Sequence, residues 1–111
     1  MIESTIIEYL NSNLSVPAYA EKPDEEPLEY VLIEKTGGSS TDYINSATIA
    51  IQSYADSLFG AASLNETVKT VIMEIVNLDE IVSVKLLRDY NFTDKSKKKY
   101  RYQAIISVVH Y

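Results

Sequence analysis

Apolar residues follow a helical period at the start and in the middle of this chain and alternate with polar residues elsewhere, and this order constrains the fold most. Ile2, Ile6, Tyr9 and Leu10 fall on one face of a first helix. Pro17 ends this helix, because proline lacks the amide donor that the next turn needs. The chain therefore begins with an amphipathic helix that has one side to bury.

Strands are predicted for the next third of the chain. Residues 16–20 suggest a short edge strand, and residues 21–27, with two prolines and four acids, predict a surface loop. Residues 28–35 are apolar on both faces at their centre, which favours a central strand. Gly37, Gly38, Ser39 and Ser40 predict a turn. Residues 43–52 alternate as a half-buried strand does.

A helical period returns over residues 53–78. Two capping signatures compete there, because Ser53 precedes Asp56 and Ser63 precedes Glu66 at the capping-box spacing. Gly60 lies between them and costs roughly 1 kcal/mol against alanine inside a helix. Either one kinked helix runs through or a second helix begins near Ser63, and we favour the single kinked helix.

The last third predicts a β-hairpin. One strand places five apolar or aromatic residues on one face: Val82, Val84, Leu86, Tyr90 and Phe92. Its partner does the same with Tyr100, Tyr102, Ala104, Ile106 and Val108. The predicted fold class is therefore α+β, a mostly antiparallel sheet carrying an N-terminal helix and a long middle helix, with a C-terminal β-hairpin. Residues 1–111 have room for one domain.

Charge and composition narrow the functional classes. The net charge of −6 repels nucleic acid phosphates, and the lack of cysteine excludes disulfides and thiol chemistry. No apolar run approaches the roughly 18 residues of a membrane span. The first residues have no basic segment before an apolar one, so we expect no secretory signal and a location in the cytoplasm.

Few residues point to catalysis. His110 is the single histidine, and without cysteine it cannot build a usual zinc site. The carboxylate pairs Glu25/Glu26 and Asp79/Glu80 lie in polar connections where water keeps them ordinary. Gly37 and Gly38 lack the lysine and the spacing of a phosphate-binding loop. We therefore expect no enzyme activity and no cofactor or metal.

A basic run stands out against this acidic background: Lys95, Lys97, Lys98 and Lys99, followed by Tyr100, Arg101 and Tyr102. Three interpretations stay open. The run is a solvated hairpin tip whose lysines discourage sheet aggregation, a contact to an acidic protein, or a surface for single-stranded nucleic acid. The nine tyrosines are the one compositional excess, and tyrosine suits both strands and interfaces.

Two segments resemble the tail terminator proteins of long-tailed bacteriophages. Residues 30–38 (YVLIEKTGG) are similar to the family's strand that ends in a charged residue, threonine and two glycines, and residues 47–55 (ATIAIQSYA) to its second strand running into a helix. The first helix, the proline-containing loop and the tyrosine-rich last strand are similar too. The chain departs from the commoner pattern in its lysine-rich tip and at Tyr54.

The resemblance implies a structural virion protein, made in the bacterial host cytoplasm and retained in the virion tail. Such proteins close into homo-hexameric rings on the last ring of the major tail tube protein, stop tube polymerisation and offer the surface on which the head-completion (neck) protein of the filled head docks. DNA would pass through the channel without specific binding. We expect channel carboxylates among Glu25, Glu26, Glu29 and Glu34.

Other functions remain open. The chain could be the head-completion or neck connector protein of the same virion, since the sequence does not separate the two roles. It could also be a generic intracellular module that binds an unrelated protein through its lysine tip or tyrosine surface. A small enzyme would need a pocket with a perturbed acid, and a nucleic acid binder would need the lysine run.

Overall fold

The computed structural model describes residues 1–111 as two helices and five strands. In chain order these are α1 (Ile2–Asn13), β1 (Ala18–Tyr19), β2 (Tyr30–Thr41), β3 (Ile44–Ala55), α2 (Leu58–Met73), a 3₁₀ turn (Glu74–Asn77), β4 (Ile81–Asn91) and β5 (Tyr100–His110). The strands form one sheet in the order β1-β2-β3-β5-β4, in which only β1 and β2 run parallel. The predicted α+β class and the two helices are confirmed.

Both helices pack on the same face of the sheet and enclose the main core. Strand β3 lies at the centre and pairs along its whole length with β2 on one side and β5 on the other. Every second residue of these strands faces the helices. The core consists of Ile2, Ile6, Leu10, Ala18, Val31, Ile33, Ala47, Ile49, Ile51, Leu64, Val68, Ile72, Ile75, Ile81, Ile106 and Val108. The apolar centre predicted for β2 and the core-facing residues predicted for β3 and β5 are confirmed. The half-buried character predicted for β3 is wrong, because Ala50 and Gln52 on its second face are buried as well.

Helix α1 buries the predicted residues Ile2, Ile6 and Leu10, which recur every fourth position. The side chain of Asn11 then fixes the short edge strand. Its Nδ2 donates to the Ala18 carbonyl oxygen at 3.2 Å, and its Oδ1 accepts from the Ala18 amide at 2.8 Å. The predicted edge strand is therefore present, shortened to two residues that an asparagine holds against α1.

The turn predicted at Gly37–Ser40 is wrong. These four residues belong to β2 and pair with Asn45–Thr48 of β3. The chain instead reverses at Asp42 and Tyr43, whose φ angles of 51° and 68° are those of a type I′ turn. The glycines serve the strand: pairing shifts by one residue between Lys35 and Gly37, and a Cβ on Gly38 would lie 3.0 Å from the Ser46 carbonyl oxygen.

The middle helix is a single helix, as favoured, but the predicted start at Ser53 is wrong. Ser53 lies in β3 and is fully buried, since the β3–β5 pairing extends to Ala55. The N-cap is Ser57, whose Oγ accepts from the Gly60 amide at 3.0 Å. Gly60 therefore lies in the first turn rather than in the helix interior. At its other end α2 passes into the 3₁₀ turn.

The predicted face of the first hairpin strand is wrong at Val82 and in its second half. A register shift after Ile81 places Ile81 in the core and leaves Val82 41% exposed. Val84 and Leu86 of β4 pack on the core as predicted. A register shift between Leu86 and Arg88 then reverses the alternation, so that Tyr90 points to the face without helices. A bulge depends on how two strands pair, and the alternation of one strand does not reveal it.

None of the helices combines the length and the apolar character needed to cross a membrane.

The β2–β3 turn generates a stability prediction. A non-glycine residue in the left-handed region costs roughly 1–2 kcal/mol, and type I′ turns favour glycine at the position of Tyr43. Replacing Tyr43 by glycine should raise the free energy of unfolding of the isolated chain by about 1 kcal/mol, measured by urea denaturation. The control is Tyr43→Ala, which removes the ring and keeps the strain. Equal stability of the two variants would contradict this account of the turn.

Candidate functional site

Tyrosines cover part of the sheet face that carries no helix. The rings of Tyr30 on β2 and Tyr54 on β3 stack with their centroids 4.6 Å apart and their planes inclined by 6°. Tyr19 of β1 meets Tyr30 edge to face at 6.1 Å. Tyr30 and Tyr54 are opposite each other in the pairing of β2 with β3, and both are buried. Aromatic side chains thus close this end of the open face without a helix.

A chain of side-chain hydrogen bonds continues from Tyr54 across the face. The Tyr54 hydroxyl donates to Gln52 Oε1 at 2.9 Å, and Gln52 Nε2 donates to Gln103 Oε1 at 2.8 Å. Gln103 Nε2 then donates to the hydroxyl of Tyr90 on β4. Both glutamines are buried, and each amide finds partners that offset the cost of leaving water. The network links β3, β5 and β4.

Arg101 of β5 anchors the same network to the base of the last hairpin. Its Nη1 donates to the Tyr54 hydroxyl at 3.0 Å, and its Nε donates to the Phe92 carbonyl oxygen at 2.7 Å. The guanidinium also lies over the Phe92 ring, 4.4 Å from its centroid, where a cation is attracted to the ring face. A single side chain therefore holds together β3, β5 and the residue after β4.

The loop between β1 and β2 is bound to this cluster through Glu26. The Tyr30 hydroxyl donates to Glu26 Oε1 at 2.6 Å, and Lys99 Nζ lies 2.9 Å from Oε2. Lys22 approaches to 3.7 Å. The hydrogen bond from Lys99, followed by that from Tyr30, lowers the pKa of Glu26 to about 2. Burial and, as the second cause, the hydrogen bond to Glu26 raise the pKa of Tyr30. This pair therefore holds an ionised carboxylate and a protonated phenol.

The lysine run forms an ordered tip on the β4–β5 hairpin. Asp94 Oδ1 accepts from the Ser96 hydroxyl at 2.7 Å and from the amides of Ser96 and Lys97. These hydrogen bonds, the one from Ser96 Oγ first, lower the pKa of Asp94. Lys99 is used by Glu26, whereas Lys95, Lys97 and Lys98 make no ion pair. The tip thus carries three lysines without an ion-pair partner beside the one carboxylate of Asp94.

A hollow of about 320 Å³ opens between the 26–28 loop, the end of β3 and the lysine tip. We call it the basal hollow. It is lined by Glu26, Pro27, Leu28, Tyr30, Tyr54, Ala55, Asp56, Lys97, Lys98, Lys99 and Tyr100. Its apolar lining includes Leu28, which is 77% exposed. An aromatic and apolar floor with a mostly basic rim suits an aromatic side chain that carries a negative charge beside it.

The structure brings together some of the residues that the sequence singled out. Glu26 and Lys99, predicted for separate sites, form an ion pair, and Lys97 and Lys98 line the same hollow. Lys95 lies on the tip outside it.

Glu25, Glu29 and Glu34 are exposed and do not join this cluster. Glu29 lies beside Gly60 at the start of α2, and Glu34 lies on β2. His110 is partly exposed at the end of β5, with Nδ1 3.1 Å from the carbonyl oxygen of Tyr111.

Sequence reasoning missed Gln52 and Gln103. A weak signal was present. Each glutamine lies in a strand next to apolar residues, whereas a solvent-exposed strand position more often carries a charged side chain. Their direct hydrogen bond depends on the register of β3 with β5, in which the two residues are opposite each other.

Comparison with known proteins yields no assignment. The chain matches no protein-family model, and no curated protein is significantly similar to it.

The Glu26 contacts predict a pH-dependent contribution to stability. A carboxylate whose folded pKa is depressed stabilises the fold above its unfolded pKa, and this contribution disappears as pH falls through the folded value. The difference in unfolding free energy between the wild type and Glu26→Gln should therefore be constant above about pH 5 and shrink between about pH 4.5 and 2.

Urea denaturation at a series of pH values measures this difference. Glu25→Gln is the matched control, since Glu25 makes no ion pair. A Glu26→Gln difference that does not change across that pH range would show that the ion pair with Lys99 contributes nothing in solution.

Proposed function

We propose that this protein is a structural virion protein that assembles into a ring on the end of a phage tail tube, terminates tube polymerisation and provides the docking surface for the head. The two segments that carry the family resemblance support this proposal, because they are neighbouring strands of the sheet. Residues 30–38 lie in β2 and residues 47–55 in β3, with Tyr30 opposite Tyr54 and Gly38 opposite Ala47.

The observation that carries the assembly proposal is the outer part of the β2–β3 hairpin. Every residue from Glu34 to Ile44, which we call the arm, is exposed. β1 pairs with β2 only at Val31 and Leu32, so no strand covers the arm on its outer side. The inner strand of the arm is covered, because β3 pairs with β5 as far as Asn45. The open outer edge of β2 therefore presents a row of unpaired backbone groups to which a strand of a neighbouring subunit can add.

The sheet ends in two different open edges, which suits a head-to-tail assembly. One is the outer edge of the arm, rich in glycine, serine and threonine. The other is β4, where two register shifts and the charges of Lys85 and Arg88 discourage uncontrolled strand pairing. Contacts between unlike surfaces of identical subunits give a ring when the rotation closes, and a fibre when it does not.

The mechanism is geometric. A ring seated on the last tube ring occupies the site where the next tube subunit would add, so tail growth stops without any chemical step. The charge of −6 on each subunit suits a channel through which DNA slides, since phosphates find few cations to pair with. Lys99 already neutralises Glu26, which leaves Glu25, Glu29 and Glu34 as exposed carboxylates for the channel wall.

Electron microscopy and a deletion test the proposal. Purified protein at high concentration should show rings in negative stain, because a weak interface needs mass action to populate the assembly. Deleting the gene from the phage should give overlong tails without heads, and supplying the wild-type gene in trans should restore tail length and infectivity.

Two results would redirect or overturn the proposal. Tails of normal length that fail to join filled heads would assign the protein to the head side of the joint. Normal infectious particles made without the protein would exclude both roles.

A further inference from the structure

The tip of the arm presents an aromatic ring that nothing in its own chain contacts closely. Tyr43 is 94% exposed, the highest value among the large apolar side chains, and Asp42 precedes it. Both residues have positive φ in a type I′ turn, where glycine is favoured at the second position. The chain accepts backbone strain at Tyr43 and gains no packing from it. A residue kept at such a position is best explained by a contact outside the chain.

The basal hollow at the other end of the sheet has the complementary properties. Its lining includes the buried Tyr30 and Tyr54 and the partly exposed Tyr100, and Leu28 stands exposed at its edge. Lys97 and Lys98 lie on its rim without ion-pair partners.

Two acids also line the hollow. Lys99 and Lys22 neutralise Glu26, and Asp56 is the remaining negative group. The rim therefore has an excess of positive charge, whereas the arm tip carries the single negative charge of Asp42 next to its ring.

The arm tip and the basal hollow cannot meet within one chain. Tyr54 lines the hollow, and Ile44 adjoins the turn, at opposite ends of β3. Ten residue steps of extended strand separate them, about 33 Å at the usual rise. The molecule is 45 Å long, and β3 occupies most of that length. A contact between the two surfaces must therefore join two copies.

We propose that the arm tip of one copy docks in the basal hollow of the next, with the Tyr43 ring against Leu28 and Tyr100 and the Asp42 carboxylate facing Lys97 and Lys98. This inference rests on the proposed ring function and names the contact that builds the ring. Opposite charges orient the two surfaces, and the buried ring supplies most of the affinity. Each copy gives one tip and accepts one, which is the arrangement that a closed ring requires.

Engineered disulfides test the contact directly, because the chain has no cysteine of its own. In the double variant Asp42→Cys with Lys97→Cys, oxidation should link neighbouring copies into a ladder that ends at the ring size. The matched control is Asp42→Cys with Thr70→Cys, which moves the second thiol to an exposed position on α2. The control should remain uncrosslinked at the same protein concentration.

Removal of the Tyr43 ring provides a second test without covalent bonds. Tyr43→Ser should weaken self-association, measured by sedimentation velocity, by about tenfold. Phe59→Ser removes another exposed ring, 83% accessible, and should leave association unchanged.

Charge exchange provides a third test. Asp42→Lys should also dissociate the assembly. Adding Lys97→Glu and Lys98→Glu to that variant should restore association, because the arm tip is then positive and the rim of the hollow negative. Unchanged circular dichroism verifies that each variant is folded.

The outcomes separate this inference from the ring proposal. Rings that survive Tyr43→Ser and show no Asp42–Lys97 crosslink would overturn the docking contact and leave the ring function standing. A wild type that stays monomeric at high concentration and on tube ends would overturn both. Loss of oligonucleotide binding in Lys97→Glu/Lys98→Glu, with self-association unaffected, would assign the rim to nucleic acid instead.

Discussion

Two helices can cover only one face of a five-stranded sheet, and the closure of the other face determines most of what is distinctive in this molecule. Strand β3 is buried from Ala47 to Tyr54, apart from partial exposure at Thr48, although helices lie on one side only. Tyrosine rings, two buried glutamines and Arg101 form the second cover. Because buried amides are costly when unpaired, this cover depends on a complete hydrogen-bond network. Its link to Glu26 also fixes the loop that borders the basal hollow.

The sequence predicts the helices and strands better than it predicts how the strands pair. Ile2, Ile6 and Leu10 identify α1, and the alternation of Ala104, Ile106 and Val108 identifies the helix-facing side of β5, because a side that packs on the core leaves a periodic apolar signal. The glycine pair misleads, since glycine serves turns and bulges alike. The helix start misleads because Ser53 and Ser63 have the capping-box spacing, whereas the actual cap, Ser57, has glycine three residues later. Only the pairing of β3 with β5 excludes Ser53.

At the candidate site, the sequence likewise shows which charged residues are present but not which of them form ion pairs. Glu26 and Lys99 are 73 residues apart, and no local pattern relates an acidic loop to a basic hairpin tip. Strand order brings them together, since β3 places the Tyr30 end of β2 close to the Tyr100 end of β5. The lysine run could be recognised as unusual from sequence alone. That Lys99 is neutralised while Lys97 and Lys98 stay unpaired could be learned only from the fold.

These features support a protein that acts through assembly, with an exposed arm at one end and a basic, aromatic hollow at the other. Native mass spectrometry over a range of protein concentrations tests this claim most directly, because it counts the subunits in every species present. We expect monomer in equilibrium with one closed species of fixed subunit number, six for the proposed ring. A monomer at every concentration, or a ladder of open oligomers without a preferred size, would contradict it.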